Sequence, residues 1–170
     1  MDEYASTTVD DIDEPAPQKP SGRAVFLVVE GANKGERLEL PMGSCRALGR
    51  SIDEEERTKL LNSGSMVSLD DFSKKLVFSY ITTHFGQKGT QSAGGSFAGF
   101  KREPDFVLVD KSISRLHAIL FYDQVGIGIL DLVSKNGTFV NGAEIESKLL
   151  KEGDVITVGT SKLKVEGVLS

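Results

Sequence analysis

The sequence predicts an all-β sandwich or barrel that carries one partly helical insertion. Three observations predict it. Short runs of β-branched and aromatic residues recur from Arg23 to Val165, most of them bounded by Gly, Asn, Asp or Pro. These runs follow one another without the alternating helices that a parallel α/β sheet requires. The rhythm breaks once, between Ser51 and Pro104, and then resumes.

The bulk properties fit a soluble domain. A chain of 170 residues has room for one domain with its own core plus appendages. Its 39% apolar and 26% charged residues are ordinary values for a globular protein. No apolar run approaches the roughly 18 residues of a membrane span. The start, Met1-Asp2-Glu3-Tyr4, lacks the basic and then apolar layout of a secretory signal. The single cysteine, Cys45, has no internal disulfide partner, so a reducing, cytoplasmic location is expected. The net charge of −5 argues against a general nucleic-acid binder. Residues 1–20 hold six acidic residues against Lys19 alone, so this leader carries the whole net charge and the body is balanced.

The elements follow in order. Residues 1–21 have few large apolar groups and contain Pro15, Pro17 and Pro20, which reads as a flexible acidic tail. Ala24 to Val29 is the first strand, ending in the turn composition Gly31-Ala32-Asn33-Lys34-Gly35. Arg37-Leu38-Glu39-Leu40 alternates as a half-buried strand should. Pro41-Met42-Gly43 turns the chain, and Cys45 to Leu48 leads into Gly49-Arg50. Beyond the interruption, strands are expected at 106–109, 118–122, 127–130, 138–140, 155–158 and 163–165. The domain is expected over 22–168, with the insertion at about 51–104.

Within the insertion, Ser51-Ile52-Asp53-Glu54 has the form of a capping box and predicts a short helix at about 52–62, stopped by Asn62-Ser63-Gly64. The stretch 68–82 fits helical spacing through Leu69, Phe72, Leu76 and Tyr80, although 76–81 also suits a strand by residue type. Helix is the favoured reading. The glycines at 86, 89, 94, 95 and 99 mark a mobile loop.

Small polar and basic residues cluster where strands end. They are Gly49-Arg50, Ser114-Arg115-Leu116-His117, Ser134-Lys135-Asn136-Gly137-Thr138 and Asn141-Gly142. They place hydroxyl, guanidinium, ammonium and amide donors on loops, which is the donor set that a bound phosphate needs. In this order the clusters resemble the forkhead-associated (FHA) domain, in its form as a bacterial-type phosphothreonine-binding regulator. The resemblance covers about 22–50 and 105–168. It implies an FHA-type (SMAD/FHA-like) β-sandwich of about eleven strands that binds phosphothreonine peptides through loops at one end.

Carried over by motif, the resemblance implies that Arg50 contacts the phosphate or the adjacent peptide, and that Ser114 donates its hydroxyl to a phosphate oxygen. Arg115 and Lys135 would add charged contacts, and Asn136 would bond the peptide backbone. Gly49, His117, Gly137, Thr138 and Asn141 would support the loops, with no proton chemistry for His117. The 63 residues from Ser51 to Ile113 are the main departure from the family pattern, and they leave Arg50 next to the insertion.

Simpler readings compete with these. An Arg after a Gly at a strand end is ordinarily just solvated, and Asn-Gly alone is turn chemistry. His84 has no partner at metal spacing, and the glycine-rich stretch lacks the Gly-Lys-Ser/Thr ending of a P-loop. No nucleophile–base or paired-carboxylate pattern supports catalysis, so no enzyme activity, metal or cofactor is expected.

The tail offers a ligand of its own. Thr7 and Thr8 lie in an acidic setting, with Asp10 and Asp11 three residues after them. The resemblance extends to bacterial regulators with a comparable Thr-Thr tail that a serine/threonine kinase phosphorylates and the same chain then binds. The leading expectation is a phosphothreonine-recognition module in such kinase signalling. Its partners would be a phosphothreonine protein or its own tail, together with the kinase, but neither nucleic acid nor membrane. Two alternatives stay open. One is the sensory part of a larger signalling enzyme such as a diguanylate cyclase. The other is a scaffold that binds an unphosphorylated partner through the insertion.

Overall fold

The computed structural model describes residues 22–50, 69–85, 96–97 and 99–169. The first three strands are β1 (Arg23–Glu30), β2 (Arg37–Pro41) and β3 (Ser44–Arg50). The helix α1 (Asp71–Phe85) comes next, followed by β4 (Ser96–Phe97), β5 (Phe100–Arg102) and β6 (Phe106–Leu108). The remainder comprises β7 (Ala118–Asp123), β8 (Gly126–Asp131), β9 (Thr138–Val140), β10 (Ala143–Ile145), β11 (Ser147–Leu150), β12 (Val155–Val158) and β13 (Ser161–Leu169).

Two sheets form the sandwich. One has the order β10-β9-β12-β13-β1-β2, the other β11-β8-β7-β3-β5-β4. β5 and β6 both run parallel to β3, along one of its edges. β5 pairs at Ser44 and Cys45, and β6 at Leu48 to Arg50. β7 takes the other edge, antiparallel, from Ser44↔Tyr122 to Leu48↔Ala118.

The sandwich core lies between the sheets and includes Phe26, Leu38, Leu40, Leu48, Leu120, Ile129, Ile156 and Leu163, all 0% exposed. Full burial of such side chains stabilises by roughly 1.5–3 kcal/mol each. A second apolar cluster covers the outer face of the β3–β7–β8 region. There Val77, Tyr80, Ile81 and Phe85 of α1 pack with Cys45, Phe100, Ile119, Phe121 and Leu130. Every residue of β7 is buried because alternate side chains enter different cores: Ala118, Leu120 and Tyr122 face inward, Ile119 and Phe121 face the helix. The rings of Phe85, Phe100 and Phe121 meet edge-on, with centroids 5.3 Å apart for both Phe85–Phe100 and Phe100–Phe121. Burial pushes the Cys45 thiol up to about 12, which keeps it protonated and inert.

α1 forms because Val77, Tyr80, Ile81 and Phe85 share one helical face, and because Asp70 caps its start. The Asp70 Oδ1 accepts from the Ser73 amide at 2.7 Å. The helix seats on β8 at Gly128, where any Cβ would collide with the Tyr80 hydroxyl.

The described residues contain thirteen strands, one of them (β4) only two residues long, which agrees with the sandwich of about eleven. Several expectations change. β4 and β5 arise from the end of the glycine-rich stretch, so strand structure resumes before Pro104. β10 and β11 form in 143–150, where most side chains are exposed and leave no alternating apolar signal. β13 extends from Ser161 to Leu169, well beyond the expected 163–165. The helix favoured at 68–82 exists, displaced to 71–85. The tail, the capping box and helix at 51–64, and positions 86–95 of the glycine-rich stretch lie outside the described residues.

Candidate functional site

Strand pairing, antiparallel except for β6 on β3, brings five segments to one end of the sandwich. They are the β1–β2 turn, the end of β3, the β6–β7 loop (109–117), the β8–β9 loop (132–137) and the β12–β13 turn. Hydrogen bonds join them into one surface. The Asn33 Oδ1 accepts from the Val109 amide at 2.8 Å. Asp110, 9% exposed, accepts through one oxygen from the Ser112 amide at 2.9 Å and from the Ser112 hydroxyl. Its other oxygen accepts from the Thr160 amide at 3.0 Å, the Thr160 hydroxyl at 2.9 Å and the Ser161 hydroxyl at 2.8 Å. Burial alone would raise the Asp110 carboxyl, but these donors outweigh it and hold it near 2.

His117 is the central brace. It is 0% exposed. Its Nδ1 accepts from the Ser114 amide at 3.1 Å, so Nε2 carries the proton and donates to the Gly137 carbonyl at 2.8 Å. Burial lowers its pKa from 6.5, against the opposing pull of the Gly137 carbonyl. Its backbone bonds Leu48 and Leu132. This neutral imidazole ties the two long loops together.

Gly49 makes the close approach possible. A Cβ there would collide with the Arg115 carbonyl oxygen. Because that neighbour is backbone, it has little room to yield.

The ligand-facing candidates converge. The Arg50 Nε donates to the Ile113 carbonyl at 3.0 Å, and its amide donates to the Ser114 carbonyl at 3.2 Å. The Ser114 Oγ accepts from the Lys135 amide at 3.0 Å, which leaves its own O–H to donate outward. The Asn136 Nδ2 donates to the Ser112 carbonyl at 2.6 Å. Lys111, Arg115, Lys135 and Asn136 are exposed. Hydroxyl, guanidinium and ammonium groups thus lie on neighbouring loops at one end of the sandwich. The cleft of about 250 Å³ lined by Val25, Arg37, Glu152 and Gly167 includes none of these residues.

The β8–β9 loop is held by a group that the sequence does not single out. Asp131 accepts from the Ser134 amide at 3.0 Å, the Ser134 hydroxyl at 2.5 Å and the Thr138 hydroxyl at 2.6 Å. The Ser134 Oγ then accepts from the Gly137 amide at 3.0 Å. Asp110-x-Ser112 and Asp131-x-x-Ser134 are the spacings of side chains that fold back on their own backbone, and they are the available signal.

Asn141 is placed differently from expectation. It stands at the opposite end of β9, where its Nδ2 donates to Asp154 at 3.0 Å and its Oδ1 accepts from the Val155 amide at 2.9 Å. It fixes the β9–β10 turn on β12, away from the β6–β7 and β8–β9 loops. His84 packs against the Tyr80 ring in a tilted arrangement, with centroids 4.7 Å apart. Thr7 and Thr8 lie outside the described residues. Among the described residues no group of three or more His, Cys, Asp or Glu is arranged to hold a metal ion, and no helix is long and apolar enough to cross a membrane.

The FHA domain family model matches residues 93–159, a span that includes both long loops. The ABC transporter ATP-binding/permease protein Rv1747 of Mycobacterium tuberculosis is 40% identical over 75 residues, which are 44% of this chain and 9% of that protein. The FHA domain-containing protein FhaA of the same organism is 36% identical over 72 residues, 42% of this chain and 14% of its own length. The chain therefore spans a minor share of these relatives. The solution structure of the FHA domain of an Arabidopsis thaliana hypothetical protein superposes with a TM-score of 0.54 at 18% identity, covering 92% of this chain and 96% of that one. At that identity the likeness is one of fold.

Proposed function

Because this chain carries a forkhead-associated domain, we propose that it is a phosphothreonine-peptide recognition module in serine/threonine-kinase signalling. One observation carries the reading. The Ser114 hydroxyl is pinned by the Lys135 amide with its proton free to donate, at the turn where Arg50 is also anchored. A phosphate met there accepts charge-assisted bonds from Arg50, Arg115 and Lys135 and a hydroxyl bond from Ser114. Asn136 serves the peptide backbone. Replacing Arg50 by Ala is expected to weaken phosphopeptide binding by roughly 1.5–3 kcal/mol in calorimetry. Unchanged affinity would remove Arg50 from the site.

The tail is the nearest ligand in this reading. Phosphorylation of Thr7 or Thr8 adds about −1.5 to −2 charges to a leader that is already acidic. A tether of this length supplies an effective concentration near the millimolar range, enough to occupy a site of micromolar affinity. The kinase-treated chain is then expected to lose binding to an external phosphothreonine peptide, and the Thr7→Ala/Thr8→Ala variant to keep it. Undiminished binding by the phosphorylated chain would sink the self-ligand.

A second reading, a scaffold that meets an unphosphorylated partner through the insertion, draws support from Phe72, 63% exposed on α1. Partner capture that survives phosphatase treatment and fails in Phe72→Ser would favour it.

A further inference from the structure

Among the described residues two that are not glycine adopt a positive φ, Asn141 at 52° and Val133 at 53°. Asn141 accounts for itself, since Asn tolerates this region and its carboxamide bonds Asp154 and Val155. Val133 does not. A β-branched side chain crowds the backbone in the left-handed region. Val133 is also 66% exposed, so its methyl groups add little to either core.

The surroundings impose the conformation. On one side the Leu132 amide is bound to the His117 carbonyl at 2.9 Å. On the other, Asp131 holds Ser134 through amide and hydroxyl, at 3.0 and 2.5 Å. With both neighbours fixed, residue 133 turns left-handed whatever its side chain. Gly or Asn would meet that demand at less cost to the fold. The isopropyl group thus has a cost in the free protein that packing does not offset, and such strain collects at ligand-contacting positions.

Its position gives the group something to do. Lys135, two residues on, carries the amide that binds the Ser114 hydroxyl. Val133 therefore lies roughly 7–8 Å or less, Cα to Cα, from Lys135, about two residues of an extended peptide. The exposed cations of the β6–β7 and β8–β9 loops are Lys111, Arg115 and Lys135. They attract phosphate without regard to the neighbouring peptide sequence, so an apolar contact adds the discrimination that charge lacks.

We propose that Val133 is a specificity-determining residue, offering an apolar contact to an aliphatic side chain one or two positions from the phosphothreonine. The proposal rests on the phosphothreonine reading above. Its test is calorimetry of the full chain with synthetic phosphothreonine peptides that differ only in Ile against Asn at each position from −2 to +2. Wild type is expected to prefer Ile by about five- to tenfold at one of these positions, the effect of burying part of a Val–Ile contact. Val133→Asn and Val133→Gly both satisfy the backbone. Each is expected to lose that preference while binding the all-Asn phosphopeptide as wild type does, with a melting temperature unchanged or raised. An Ile preference retained by both variants, no preference in wild type, or an equal loss for both peptides in either variant would overturn the proposal. Failure of every phosphopeptide to bind wild type would instead fell the underlying reading, and this proposal with it.

Discussion

The imidazole of His117 donates its Nε2 proton to the Gly137 carbonyl at 2.8 Å, a buried bond among those that join the two loops carrying every ligand-facing candidate except Arg50. The other ring nitrogen accepts from Ser114, so the ring must stay neutral to keep both bonds. His117→Ala removes both and leaves a cavity, and it is expected to destabilise by roughly 2–4 kcal/mol in chemical denaturation. Because the folded state disfavours the imidazolium, His117 contributes stability that is complete above 6.5 and is lost as pH falls from there toward the lowered folded value. The His117→Ala deficit should accordingly shrink below pH 6.5, and a pH-independent deficit would contradict the neutral brace.

Asp110 gives a second, separate acid window. Its folded carboxyl is held near 2 against an ordinary 3.8, so its contribution is present above about 4 and is lost as pH falls toward 2. Asp110→Asn is expected to cost about 2 kcal/mol at neutral pH. That cost should fade between pH 4 and 2, as followed by thermal melting.

Gly49→Ala is expected to displace the Arg115 carbonyl and with it the Ser114–His117 turn. Overpacking of this kind costs typically 1–3 kcal/mol. Phosphopeptide affinity should fall together with stability, since the clash lies under the site. A variant with unchanged melting and affinity would show that the loop does not seat on Gly49.

The insertion is coupled to the same loops through packing. Leu132, within the β8–β9 loop, belongs to the α1 cluster, and Leu116, between Arg115 and His117, packs against it. Ile81→Ala is expected to cost roughly 2–4 kcal/mol and to raise amide exchange in both loops. Faster exchange confined to α1 would separate the insertion from the site.

Much of this was legible in the sequence, for a physical reason. The clusters holding Arg50, Ser114, Lys135 and Asn136 stand out because each falls where one β-run ends or the next begins, and it is the FHA resemblance that implies they share one end of the sandwich. The braces were harder to read. Asp110 and Asp131 act by hydrogen bonds to Ser112, Thr160, Ser134 and Thr138, and an isolated Asp on a loop looks like any solvated acid. The edge strands 143–145 and 147–150 are held by backbone pairing and carry little apolar pattern. The family motif Asn141-Gly142 groups Asn141 with the loop supports, yet three residues of strand carry the chain to the other end of β9.

The proposed function requires this loop surface to recognise a phosphate on threonine. Its most direct test is calorimetric titration of the full chain with one threonine peptide in phosphorylated and unphosphorylated forms, repeated with Ser114→Ala. The phosphorylated form alone is expected to bind, and Ser114→Ala to weaken it by roughly 1.5–3 kcal/mol with melting unchanged. Equal affinity for the two forms, or undiminished binding by Ser114→Ala, would contradict it.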